Sequence, residues 1–198
     1  MRRGLQIGLL VSGVIVCVLA GYWLWWALDG GPERGRPSVG GPFELIDGDG
    51  RKVTERDFEG RHMLVYFGYT FCPDVCPTTL FNASGALDEI GPGLASKVRL
   101  VFISIDPERD TPDIVREYAA HFHPGTVGLT GTPDQVAAAA RAWRIYYRKA
   151  EPEEDGGYLV DHSSILFLMD GDGRYVTHFS HEASTADMAA ALTRLISK

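Results

Sequence analysis

The chain has 198 residues, 45% hydrophobic and 23% charged, enough for one domain of ordinary size with a short extension and inconsistent with wholesale disorder. Its formal charge is -7, and without Arg2 and Arg3 the remainder sets 17 basic against 26 acidic side chains, a net of -9. That balance argues against a nucleic-acid binder, which needs clustered Lys and Arg for phosphate contacts. It says little about protein partners, because an acidic surface also serves solubility.

From Gly4 to Leu28 no side chain is charged, a length that suits a helix crossing a hydrocarbon core of roughly 30 Å. Tyr22, Trp23, Trp25 and Trp26 crowd its C-terminal end, where aromatic rings favour the headgroup interface. Residues 1–28 are therefore read as a transmembrane anchor. The alternative is a cleaved signal peptide ending near Val18-Leu19-Ala20, but the apolar run continues past it. Arg2 and Arg3 on one side are matched by Arg34 and Arg36 on the other, so the charge count leaves orientation open. Residues 29–41, rich in Gly, Pro, Arg, Glu and Ser, bury too little apolar surface to fold and are expected to form a flexible linker.

The folded domain is expected over residues 42–198. Phe43 to Ile46 and Val53 form a small hairpin around Asp47-Gly48-Asp49-Gly50. His62 to Tyr69 is an apolar, β-rich run, expected as a central strand. Thr78 to Ile90 is helical, Val98 to Ile105 is a second buried strand, and Pro112 to His121 is a second helix. Pro133 to Trp143 makes a third. Ile145 to Tyr147 and Gly157 to Val160 read as the arms of an inserted β-hairpin around the acidic tip Glu151 to Asp155. Ser164 to Met169 and Tyr175 to Phe179 form another hairpin, before a last helix from Thr185 to Ile196. Strands alternating with helices, then a hairpin and a helix, predict an α/β domain on a mixed sheet.

Chemistry concentrates in Phe71-Cys72-Pro73-Asp74-Val75-Cys76-Pro77. Cys17 lies within the apolar N-terminal stretch, leaving Cys72 and Cys76 as a C-x-x-x-C pair. Pro77 has no N–H to donate and disfavours helical geometry before it, which predicts a helix with Pro77 at its first position and Cys76 as its cap. Thiols at a helix N-terminus gain thiolate character from the helix dipole, becoming metal ligands or nucleophiles. Three readings remain open: a metal site, a structural disulfide and a redox-active Cys72–Cys76 pair. A loop so short gives a disulfide little entropic value. Three intervening residues, rather than the two of most exchange enzymes, leave space for an ion between the sulfurs.

A two-thiolate site needs a further donor. Of six histidines, His162 is the leading candidate, in a polar break at the entrance to a buried strand; His121-x-His123 is the rival, better read as a helix end.

Gly68-Tyr69-Thr70-Phe71-Cys72-Pro73-Asp74-Val75-Cys76-Pro77, then Ser104-Ile105-Asp106-Pro107-Glu108-Arg109-Asp110-Thr111-Pro112, then Asp161-His162-Ser163, together resemble the Sco/SenC family of copper chaperones. The resemblance runs from about Pro42 to the C-terminus. It implies a thioredoxin-like fold, an N-terminal membrane anchor, and one copper ion, Cu(I) or Cu(II), held by Cys72, Cys76 and His162. The implied role is assembly of the dinuclear copper centre of cytochrome c oxidase subunit II, by copper delivery, thiol reduction or both, rather than enzymatic turnover. A copper-donating chaperone and a thioredoxin-like reductant are the further implied partners.

By the same resemblance Asp106 and Asp110 belong to an acidic motif that can hydrogen-bond a ligand, shape the site or meet a partner. Turn chemistry at Asp106-Pro107 and capping at Asp110 are the plain alternatives. Asp161 is a weaker candidate to orient the imidazole, since neighbours in an extended segment face opposite sides. The competing function is a thiol-disulfide oxidoreductase or peroxiredoxin-like peroxidase without metal, and zinc is the competing ion. The N-terminus lacks the long Arg- and Ser-rich presequence of mitochondrial import. The expected location is thus the bacterial inner membrane, with the domain in the periplasm; the alternative is the mitochondrial inner membrane facing the intermembrane space.

Overall fold

The computed structural model describes residues 13–24, 39–152 and 157–197. The chain divides into two compact units, Met1–Pro37 and Ser38–Lys198. In the first, residues 13–24 form helix α1, which exposes Val14, Val18, Leu19 and Trp23. Among the described residues no helix is long and apolar enough to cross a membrane. Residues 1–12 and 25–28 of the expected anchor, and 29–38 of the expected linker, lie outside the described residues. Val39, at the linker's end, packs against the core of the second unit.

The second unit runs β1 (Glu44–Asp47), β2 (Lys52–Thr54), a 3-10 turn (Glu55–Phe58), β3 (His62–Gly68), α2 (Val75–Glu89), α3 (Gly91–Ala95), β4 (Val98–Ser104), α4 (Pro112–Ala119), β5 (Val127–Thr130), α5 (Pro133–Ala142), β6 (Tyr147–Lys149), β7 (Val160–His162), β8 (Ile165–Met169), β9 (Tyr175–Ser180) and α6 (Thr185–Ile196). Seven strands make one sheet in the order β2-β1-β5-β4-β3-β8-β9, while β6 and β7 pair separately. Strands β3, β4 and β5 are parallel, and the flanking strands join antiparallel, so the sheet is mixed as expected.

The apolar runs of β3 and β4 are central because both their faces are covered. Successive side chains of a strand point to opposite faces. Tyr66 and its register partner Phe102 face one side, where Phe102 meets Tyr118 of α4 at 4.9 Å between ring centres. Phe67 faces the other, against Trp143 at the end of α5, at 5.6 Å. Phe81 of α2 closes on Phe122, just after α4, at 5.0 Å, and α2 also packs against α6.

Four departures from the sequence reading bear on the site. Helix α2 starts at Val75 with Asp74 as its N-cap, so Cys76 lies inside the first turn instead of capping it, and Pro77 follows at the third helical position. Proline fits there, because N–H groups of a first turn have no intrahelical acceptor. The inserted hairpin is displaced by about two residues along both arms, because Trp143 closes α5 and Arg144 takes a left-handed conformation at φ 56°, delaying the strand. His162 therefore lies within β7, opposite Tyr147, rather than in a break before β8. Strand β5 and helix α3 have no counterpart in the expectation: both are short and interrupted by Gly128 or by Gly91-Pro92-Gly93.

At Gly128 helix α4 comes close to the sheet: a Cβ there would stand 2.3 Å from the Val115 carbonyl oxygen. Backbone cannot yield as a flexible side chain does, so Gly128→Ala is expected to destabilise the protein by about 1–3 kcal/mol. Urea denaturation followed by circular dichroism measures this, and a midpoint equal to the parent's contradicts the close approach.

Candidate metal centre

Strand β3 ends at Gly68, and the chain turns through Tyr69 to Pro73 into α2, which brings Cys72 and Cys76 to the carboxyl edge of the parallel strands, the usual place for function in an α/β sheet. The thiols are free: Cys76 is fully buried and Cys72 partly exposed. The Cys76 N–H donates to Cys72 Sγ at 3.4 Å. His162 arrives from β7, with Nε2 3.5 Å from Cys76 Sγ and 3.5 Å from the Tyr66 hydroxyl. Its Nδ1 lies 3.1 Å from the Val160 carbonyl oxygen, which fixes the ring and leaves Nε2 turned to the sulfur. The Tyr69 ring stands edge-on to the imidazole at 5.8 Å.

The two thiols share one proton. The Cys72 pKa is lowered to about 5, chiefly because the Cys76 thiol donates to its sulfur; burial opposes this, and the N–H groups of Cys76 and Asp74 assist. Cys76 is pushed far upward, first by that same bond and then by burial. The result is a thiolate at Cys72 and a thiol at Cys76 at neutral pH. Tyr66, also forced upward by burial, stays a neutral hydroxyl beside them.

Among the described residues, no group of three His, Cys, Asp or Glu is already arranged for a metal ion. The Cys76–His162 separation nevertheless has ligand spacing: metal–sulfur and metal–nitrogen bonds of roughly 2.3 and 2.0 Å set about 110° apart span roughly 3.5 Å. Two thiolates and an imidazole form a soft set that suits copper and also accommodates zinc.

Asp106 and Asp110 are both fully buried, and neither caps α4, whose cap is Thr111. Asp110 accepts from the Thr70 N–H (3.1 Å), the Thr70 hydroxyl (2.6 Å) and the Ser104 hydroxyl (2.6 Å), so it pins the cysteine loop to the end of β4. Burial raises its pKa, and those hydrogen bonds counter the rise. Asp106 accepts from Arg109 Nε at 2.5 Å and from the Tyr158 hydroxyl at 2.8 Å. Asp161 is exposed and turns to Arg148, 3.4 Å away, so it does not orient the imidazole. Of the rival pair, His123 lies 3.7 Å from Asp88.

Sequence reasoning missed Tyr66, Tyr158 and Gly68. A Cβ on Gly68 would stand 2.8 Å from Cys76 Sγ and 2.9 Å from the Tyr66 ring, so only glycine lets the end of β3 pass beneath the sulfur. A glycine directly before the cysteine loop was the available signal. Tyr66 looked like any core residue of an apolar strand.

A sequence profile of the SCO1/SenC family matches residues 31–197. The chain is 46% identical over 153 residues to the mitochondrial protein SCO1 homolog 1 of Arabidopsis thaliana, covering 77% of this chain and 46% of that one. It is 41% identical over 163 residues to the human mitochondrial protein SCO1 homolog, covering 80% and 53%. The chain thus spans about half the length of these relatives. Among solved structures, Arabidopsis thaliana ScoI with copper bound superposes with a TM-score of 0.75 at 42% identity, covering 79% of this chain and 96% of that one. Bradyrhizobium japonicum ScoI with copper bound gives 0.72 at 44%, covering 79% and 98%.

Two outcomes follow from this geometry. Iodoacetamide should modify Cys72 of the reduced, metal-free protein far faster than Cys76 at pH 7. Because the Cys72 pKa is lowered, the rate should stay high as pH falls and drop only through about pH 5; a midpoint near that of an ordinary thiol, about 8.5, contradicts the shared proton. Gly68→Ala should displace Cys76 and accelerate its alkylation, read by peptide mass mapping.

Proposed function

The chain belongs to the SCO1/SenC family, and on that basis we propose that it holds one copper ion through Cys72, Cys76 and His162 and hands it to a partner. The observation that carries this reading is the approach of His162 Nε2 to Cys76 Sγ at 3.5 Å beside the Cys72 thiolate. Two soft thiolates favour Cu(I), and an imidazole accommodates both oxidation states. Three protein donors leave the ion open to an incoming ligand, so transfer proceeds by exchange of donors. The recipient we infer is subunit II of cytochrome c oxidase, at its dinuclear copper centre, with a copper-donating chaperone upstream.

A second reading of the same residues is reduction of that subunit's cysteines, with a thioredoxin-like partner restoring the pair. The observation that favours it is the pairing of a partly exposed thiolate with a buried thiol, the arrangement in which one sulfur attacks and the other resolves. Thiol-disulfide turnover on other substrates and peroxide reduction rank below both, because the relatives matched are SCO1 proteins and copper-bound ScoI.

We further propose that residues 1–28 anchor the chain in a membrane, that 29–41 tether it, and that 42–198 work on the oxidising side, in a bacterial periplasm by preference. The uncharged stretch Gly4 to Leu28 supports this.

The reduced protein is expected to bind about one copper. Cys72→Ser, Cys76→Ser and His162→Ala should each weaken binding by more than the roughly 10- to 100-fold typical of losing a hydrogen-bond partner behind a ligand. Titration with Cu(II) should produce thiolate-to-copper absorption that vanishes in either serine variant. Parent-like affinity in all three variants defeats the assignment.

A further inference from the structure

His162 sits on a hairpin that the main sheet does not hold. Among the described residues β6 and β7 hydrogen-bond as a two-stranded sheet of their own, and a separate two-stranded ribbon is marginal in water. Burial of Val160 and packing of Tyr147 and Tyr158 hold it to the core, and side-chain contacts join it to the cysteine loop.

The contacts converge on Arg109. Its Nη1 donates to the Tyr158 carbonyl oxygen at 3.0 Å, and its guanidinium lies 3.7 Å from the centre of the Tyr158 ring. The same guanidinium lies 4.7 Å from the Phe71 ring and 5.7 Å from the Tyr69 ring, both in the cysteine loop. One planar cation thus touches the hairpin and the thiol loop together, the geometry in which arginine combines hydrogen bonding with stacking. Its anchor is buried. Asp106 accepts from Arg109 Nε at 2.5 Å and from the Tyr158 hydroxyl at 2.8 Å, and its own N–H donates to the Ser104 hydroxyl at the end of β4. An ion pair of hairpin residue Lys149 with Glu108 is exposed on both sides and contributes little.

We propose that Arg109 is a positioning residue that latches the β6–β7 hairpin to the cysteine loop and so keeps His162 within reach of Cys76. It touches no thiol and donates to no copper; it acts through Tyr158, two residues before β7. Its consequence for copper rests on His162 being a ligand, whereas its consequence for the hairpin does not.

Hydrogen exchange in the reduced, metal-free protein tests the latch directly. In Arg109→Ala the amides of β6 and β7 should exchange faster, while those of β3 keep the parent's rates. Tyr158→Leu, which removes the ring beneath the guanidinium and the hydroxyl that donates to Asp106, should do the same. Unchanged exchange in the hairpin, or equal acceleration in β3, overturns the proposal. Copper titration then reads the consequence. Arg109→Ala should lose roughly 10- to 100-fold in affinity, and Arg109→Ala with His162→Ala should lose no more than His162→Ala alone. Parent-like copper affinity in Arg109→Ala beside a weakened His162→Ala overturns the latch and leaves the ligand assignment standing. Parent-like affinity in His162→Ala overturns the ligand assignment, and the exchange rates alone then decide the latch.

Discussion

The site depends on one contact, between Cys76 Sγ and His162 Nε2, which joins residues 86 positions apart in the chain. Closing so long a loop costs entropy that the contact itself does not repay. The surrounding framework supplies it. Strand β3 delivers the cysteine loop, and β8, paired to β3, begins three residues after His162, so the ring and the thiols are brought to neighbouring strands by the core. Gly68 then makes room for the sulfur, and the Tyr66 hydroxyl fills the space beneath the imidazole.

Around that contact the charges are held apart from the sulfurs. The thiol pair carries a single negative charge, shared through one proton. Two carboxylates of the segment after β4, Asp106 and Asp110, are buried and committed to loops: Asp110 to Thr70 and Ser104, Asp106 to Arg109 and Tyr158. A buried carboxylate without such partners is costly, and with them it becomes a fixed joint. Acidic residues expected to hydrogen-bond a ligand, shape the site or meet a partner thus hold the backbone on either side of the site. A soft donor set stays selective for a soft ion when hard oxygen donors are engaged elsewhere.

The site draws its side chains from two differently supported elements. Cys72 sits on a loop that Asp110 pins to the sheet and Cys76 in the first turn of α2, whereas His162 lies on a two-stranded ribbon outside the sheet.

By itself the sequence determined the local features: a mixed α/β domain, the central strands at their observed places, thiols at a helix start, and His162 as the candidate third donor. These were legible because apolar periodicity, turn residues and the C-x-x-x-C spacing are local signals. The tertiary structure decided the rest. It put His162 inside β7, because the left-handed Arg144 shifts the hairpin, and it revealed β5, whose four residues show no pattern of their own. It also turned Asp161 outward and made joints of Asp106, Asp110 and Arg109. No local pattern encodes these roles, because each is set by which distant segment packs beside the residue, and that is fixed only when the core assembles.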